Sequence, residues 1–305
     1  MPGTRASPRS PTSSRQPRAD AMGGTVLHTT AVVGDREVLA SLRNPVQGQV
    51  HSAFRSVINV STEQPELLCL TSASVPRGPR SLQLGLDRMD HYGIASGDRV
   101  VGDGHTLRVG ESLVIILAAT PAWEDPPTCG TPDLERVEQL DALMGTPHSL
   151  LGATAFEKAV ALRVRAGIAS LRGGVLAGDD EATHRAAFSL AGLGIGLTPT
   201  GDDVLTGAGF VAARLGGRLD VLHRAVADVV EAGPTNDLSL TALRCALRGR
   251  AVQPLEELYS WLCGASTDDP DHLVADVKAI GHTSGADLAL GLLTAVRLHQ
   301  ESRDC

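Results

Sequence analysis

The 305-residue chain carries 42% hydrophobic residues, enough for a buried core and for two domains of ordinary size. Its formal charge of −8, with Lys158 and Lys278 the only lysines, leaves no basic field to hold a nucleic-acid backbone. No run approaches the roughly 20 apolar residues of a membrane-spanning helix, and Cys69, Cys129, Cys245, Cys263 and Cys305 form no C-x-x-C pair, so they read as reduced thiols of a cytoplasmic protein.

Residues 1–24 hold Arg5, Arg9, Arg15 and Arg18 among Ser, Pro and Thr, a composition that cannot offset the entropy of ordering and predicts a disordered tail, with Met22 an alternative start. Residues 25–120 show short β-type runs punctuated by Gly, Pro and Asp: 26–33, 38–42, 57–60, 67–71, 81–84, 100–101, 107–109 and 113–119. Asp103-Gly104 suits a tight hairpin between two of them, because Asp-Gly accepts the positive φ of such turns. An all-β domain, sandwich or barrel, is the expectation. Residues 121–133, with four prolines, predict a linker. Beyond them the apolar period lengthens to that of a helix over 134–144, 149–171, 179–190, 203–215, 220–232, 238–247, 255–263, 271–280 and 286–299. The fold class is therefore α+β, a β-rich domain followed by an α-helical domain over 134–305.

Two loops between predicted helices carry the chemistry. The first runs Gly194-Ile195-Gly196-Leu197-Thr198-Pro199-Thr200-Gly201-Asp202-Asp203, the second Gly281-His282-Thr283-Ser284-Gly285-Ala286-Asp287. Their glycines permit backbone geometry closed to other residues, and their hydroxyls and acids stand where a helix presents unpaired N–H groups and the positive end of its dipole. Such an end attracts anions. Thr200–Gly207 and Ser284–Gly291 share the pattern [ST]-G-x-D-[VL]-x-x-G in constant register, either a diverged duplication or two solutions to one packing problem. If both helix starts face one cavity, they hold a small anionic substrate between them. The competing reading makes the Thr, Ser and Asp residues ordinary helix caps and the glycines contact points between helices. Neither G-x-G-x-x-G nor G-x-x-x-x-G-K-[ST] is present in these loops.

The block from Gly194 to Asp203, with Thr235-Asn236-Asp237-Leu238-Ser239 and Ile280 to Asp287, resembles the AllH-type family, long known as a domain of unknown function. The resemblance covers most of the chain after about Thr25 and departs where relatives carry Ser for Thr200 and an aromatic for Ala286. It implies a subunit of an oxamate carbamoyltransferase of purine or allantoin nitrogen catabolism, exchanging a carbamoyl group between carbamoyl phosphate and oxamate, with AllF- and AllG-type partner subunits. The S-T-R-T phosphate loop of ornithine and aspartate carbamoyltransferases is lacking here.

Such a transfer needs a grip on phosphate, a stabilised oxyanion and an oriented nitrogen nucleophile. The backbone N–H groups of Gly201 and Gly285, with the loop at Gly196 and the hydroxyls of Thr198, Thr200, Thr283 and Ser284, suit the first two tasks. His282 is a candidate oxyanion donor or proton relay. Asp203 and Asp287 are candidate catalytic acids, and Asp202 a candidate substrate contact, although carboxylates repel phosphate unless they grip N–H groups, orient a base or share a cation. No cofactor and no metal ligand is predicted, a divalent cation such as magnesium remaining an open alternative. Thr235 and Asn236 are helix caps or substrate contacts, and Arg55 a surface residue or a carboxylate partner reaching across from the β-domain. Two other classes compete: a non-catalytic ligand-binding or scaffolding subunit, and a metal-dependent hydrolase of a small amide or phosphoester.

Overall fold

The computed structural model describes residues 26–123 and 130–301. The tail expected over 1–24, the middle of the linker expected over 121–133, Cys129 and Cys305 lie outside the described residues. Nine strands come first: β1 (Leu27–Asp35), β2 (Val46–Ala53), β3 (Val57–Ser61), β4 (Leu68–Thr71), β5 (Ser81–Leu84), β6 (Arg99–Gly102), β7 (Thr106–Val109), β8 (Leu113–Ile116) and β9 (Ala122–Trp123). They hydrogen-bond in the order β5-β4-β3-β2-β6-β7-β8-β1-β9, and β1 also pairs with β5, Ala31 opposite Leu84. That extra pairing closes eight strands into a barrel and removes their open edges. The alternation of the strands sends Ile58, Leu70, Leu82, Leu107, Leu113 and Ile115 inward, all fully buried.

Two segments of the barrel depart from expectation. Residues 38–42 are not a strand: α1 (Arg36–Ser41) begins there because the Asp35 carboxylate accepts the Glu37 N–H at 3.1 Å, capping a short run of helix formers. Strand β2 was not predicted, since Val46-Gln47-Gly48-Gln49-Val50 offers few apolar side chains, yet it pairs with both β3 and β6. The Asp103-Gly104 hairpin joins β6 to β7, with Gly104 at φ 92°.

The helices are α2 (Leu134–Met144), α3 (Ala155–Ala177), α4 (Asp180–Leu190), α5 (Thr200–Leu215), α6 (Asp220–Ala232), α7 (Asp237–Ala246), α8 (Gln253–Leu262), α9 (Pro270–Lys278) and α10 (Ser284–Glu301). The single helix expected over 149–171 is broken. A 3-10 turn occupies His148–Leu150, Gly152 takes φ 65°, and α3 starts only at the reciprocal capping box of Thr154 and Glu157. At the centre lies α5, buried continuously from Thr200 to Ala212, as expected of a helix apolar on every side. Its fully buried Val204, Leu205, Phe210 and Val211 each contribute about 1.5–3 kcal/mol of burial.

Barrel and helices meet through buried and half-buried polar contacts. Arg250 reaches Asp35 at 2.8 Å, Arg248 reaches Glu66 at 2.7 Å, and the Leu67 N–H donates to Thr241 Oγ1 at 3.0 Å. These ties fix the barrel over the starts of α5 and α10. Among the described residues Cys69 and Cys245 are free thiols, and burial pushes them up to about 11 and about 12.

Candidate functional site

The shared pattern in the two loops has a structural counterpart. Helices α5 and α10 cross so closely that a Cβ on Gly207 would stand 2.0 Å from the Leu288 carbonyl oxygen, and one on Gly291 would stand 2.0 Å from that of Val204. Gly207 and Gly291 are equivalent positions of the pattern, as are Val204 and Leu288, so the contact is reciprocal about a local two-fold. This is the packing role that the competing reading gave those glycines. It also brings the two helix starts together.

At that junction Thr198 Oγ1 lies 2.8 Å from Ser284 Oγ and donates to Asp203 Oδ2 at 3.2 Å. Hydroxyls and acids then cross in their influence: the Ser284 hydroxyl, opening α10, favours the ionised form of Asp203 of α5, while the Thr200 hydroxyl, opening α5, does the same for Asp287 of α10. Ser149 donates to Asp287 Oδ1. Both carboxyls are buried, Asp203 at 5% and Asp287 at 0% exposure, deep enough for burial to govern their titration. Burial pushes Asp203 up to about 8; the Ser284 and Thr198 hydroxyls act against that rise, and the nearby Asp287 adds to it. Burial also raises Asp287, opposed by the hydroxyls of Ser149, Thr200 and Thr283.

Above the acids opens a pocket of about 920 Å³, within the range of small-molecule sites. Its floor includes Thr198, Thr200, Thr283, Ser284 and Ser149, and the barrel supplies Phe54, Val57 and Asn59 on one side. The Asn59 amide is aimed by a 3.0 Å bond to Ser52 Oγ. No Lys or Arg is among the described lining residues.

Of the residues expected from sequence, Gly196, Thr198, Thr200, His282, Thr283 and Ser284 line this pocket, His282 exposed at its rim. Asp203 and Asp287 sit beneath it, hydrogen-bonded to lining hydroxyls. The expectation that Gly201 and Gly285 offer N–H groups to a ligand is corrected: those groups donate to Leu193 O at 2.8 Å and Ile280 O at 3.0 Å. The two glycines instead admit close backbone approach, since a Cβ would fall 2.0 Å from Leu190 O and 1.7 Å from Val277 O respectively. Asp202 clamps the loop, accepting from the Gly192 N–H at 2.7 Å and from the Thr235 hydroxyl. Asn236 caps α7 through Ser239 N and donates to Leu197 O at 3.0 Å. Arg55 is exposed and does not line the pocket; its backbone oxygen accepts from the Met89 N–H at 2.7 Å.

Ser149, His148, Glu157, Phe54 and Asn59 escaped the sequence reading. For the first three a signal existed: Thr154-Ala155-Phe156-Glu157 is a capping-box pattern, which ends the preceding helix and frees Ser149 as a turn residue. The barrel residues had none, because only tertiary contact brings them there. Among the described residues no group of three or more His, Cys, Asp or Glu side chains is arranged to hold a metal ion.

Two family models match the chain: one described as the AllH family N-terminal domain over residues 30–122, the other as oxamate carbamoyltransferase subunit AllH over residues 190–296. The second match spans both helix-opening loops and the crossing of α5 with α10. No solved structure matches the chain.

Proposed function

The chain belongs to the AllH family, and on that premise we propose that it is the subunit of an oxamate carbamoyltransferase whose pocket holds the small anionic substrate while a carbamoyl group passes between carbamoyl phosphate and oxamate, giving or consuming oxalurate. The observation that carries this reading is the 2.8 Å approach of Thr198 and Ser284, which puts hydroxyls of both loops on one pocket floor. Hydroxyl donors from two directions suit the oxygens of a two-ended anion, and the positive ends of α5 and α10 lie behind them.

The acids beneath are compatible with such a ligand. Burial holds Asp203 up at about 8, so at neutral pH it is mostly protonated and sets little negative charge against the anion. His282 at the rim is placed to donate to the oxyanion or to move a proton. The reading requires no metal, so chelation leaves turnover unchanged.

Leu151, Ile195 and Leu197 line the mouth and are 52%, 52% and 59% exposed. That apolar rim, with no lining cation, supports partner subunits of AllF and AllG type that cover the pocket and bring positive charge to the substrate. The free thiols of Cys69 and Cys245 support a cytoplasmic setting for the assembly. The same lack of a lining cation favours a second reading, in which this subunit binds the ligand while another performs the chemistry. Carbamoyl phosphate consumption with oxamate, measured with and without the partner subunits, tests the first reading. Absence of turnover in the full assembly ends it, and full activity in both Asp203→Ala and Asp287→Ala assemblies turns the decision to the second.

A further inference from the structure

This inference rests on the transferase reading. Ser149 belongs to neither loop of the repeated pattern, yet it lines the pocket and donates directly to Asp287 Oδ1. Its turn is held firmly: Leu150 N–H donates to Pro147 O at 3.0 Å, Leu151 N–H to His148 O at 3.0 Å, Arg165 donates to Leu150 O, and the Leu150 side chain is buried. The hydroxyl is therefore presented from a fixed support.

Ser149 also breaks the local two-fold. The Thr200 and Ser284 hydroxyls act on the two acids alike, and Asp287 has Thr283 of its own loop as Asp203 has Thr198; Ser149 adds a hydroxyl to Asp287 from outside the two loops. That of Thr198 is shared with Ser284; among the described residues, Ser149 Oγ hydrogen-bonds Asp287 alone. Asp287 is fully buried, and its Oδ2 has no hydrogen-bond partner among the described residues. Access from the pocket to this carboxyl runs through the lining hydroxyls of Ser149, Thr200 and Thr283, of which Ser149 makes the direct hydrogen bond to Oδ1 from a turn outside both loops.

We propose that Ser149 is the hydroxyl through which Asp287 takes the proton from the substrate nitrogen. As the oxamate nitrogen bonds the carbamoyl carbon, the C–O bond to phosphate breaks and phosphate leaves with that electron pair. The N–H proton passes to Ser149 Oγ, and the Ser149 proton passes to Asp287 Oδ1. The carboxylate becomes a carboxylic acid, and the proton is later released with the products; the reverse reaction returns it to nitrogen. Burial makes Asp287 a stronger base than an exposed carboxylate. The other titratable groups around it are Asp203 beneath the floor and His148, Glu157 and His282 on the walls.

The test uses the assembled enzyme with Ser149→Ala and Ser149→Thr. Ser149→Ala lowers kcat on the order of 100-fold with little change in KM for oxamate, and Ser149→Thr, which keeps a hydroxyl, recovers most of that loss. Should the alanine variant fail to assemble, Ser149→Cys stands in, with kcat falling while assembly is kept. A kcat near wild type in the variant lacking the hydroxyl overturns the proposal, as does a loss that threonine does not recover. Titration of the Asp287 carboxyl by infrared spectroscopy adds a readout free of turnover: removing the Ser149 donor moves it upward. If the wild-type assembly turns over no oxamate, the transferase reading falls, and that titration decides the Ser149–Asp287 link, an unchanged value refuting it.

Discussion

The two helix-opening units, Gly194–Gly207 and Gly281–Gly291, share one pattern and put it to partly different use. Their glycines and deep acids behave alike, Gly207 against Leu288, Gly291 against Val204, Asp203 and Asp287 both buried under hydroxyls. Their loops diverge because their neighbours do. The first loop is wedged against the segment before α7, so Asp202 and Asn236 are taken up holding its shape. The second faces the pocket with His282 exposed, and Ala286 stands where the first unit has Asp202. A repeated motif thus conserves the contact that two helices need from each other, while the surface around each copy selects which polar groups remain for a ligand.

The sharpest way to break this comparison is at the helix crossing. Gly207→Ala and Gly291→Ala each force a methyl into a backbone carbonyl, and both are expected to destabilise by about 3 kcal/mol or more in chemical denaturation. Strongly unequal effects refute the reciprocal contact. Next, Asp202→Ala leaves the Gly192 N–H and the Thr235 hydroxyl without their acceptor and costs about 1–3 kcal/mol, a loss with no counterpart in the second unit.

The acids sharpen the comparison through pH. Asp203 is raised to about 8 from the ordinary 3.8, so between those values the folded chain holds a proton that the unfolded chain releases. Its contribution to stability therefore declines as pH rises from about 4 to about 8 and levels off above. Asp203→Asn removes that decline, visible as a flatter dependence of Tm between pH 5 and pH 9; a dependence identical to wild type speaks against the buried neutral acid.

Smaller effects follow at the exposed positions. His282→Gln lowers turnover of the assembly by about tenfold or more while Tm stays put, as befits a rim residue with no packing role. Arg55→Ala, outside the pocket and exposed, changes stability by less than about 0.5 kcal/mol and leaves turnover intact.

Much of this architecture was legible in the chain itself. Period-two runs identified β3, β5 and β8, and the helical period located α2 and α6 to the residue. Errors arose where a local signal outweighed the pattern. Asp35 turned an apolar run into α1, β2 gained its place from two neighbouring strands rather than from its own composition, and the Thr154–Glu157 box cut a predicted helix and released Ser149. Within the site, composition flagged the hydroxyls and acids; it misassigned the N–H groups of Gly201 and Gly285, because only the folded chain shows Leu193 O and Ile280 O already accepting from them.

From sequence alone came the α+β class, the two glycine-rich loops and their shared register, all of which depend on nearest-neighbour preference and periodicity. Tertiary structure decided that the β-half closes into a barrel, that the loops meet at Thr198 and Ser284, and that Ser149 and Asn59 join them. Those outcomes depend on contacts between residues far apart in the chain, and on the depth of burial that raises Asp203, quantities that no local window of residues contains.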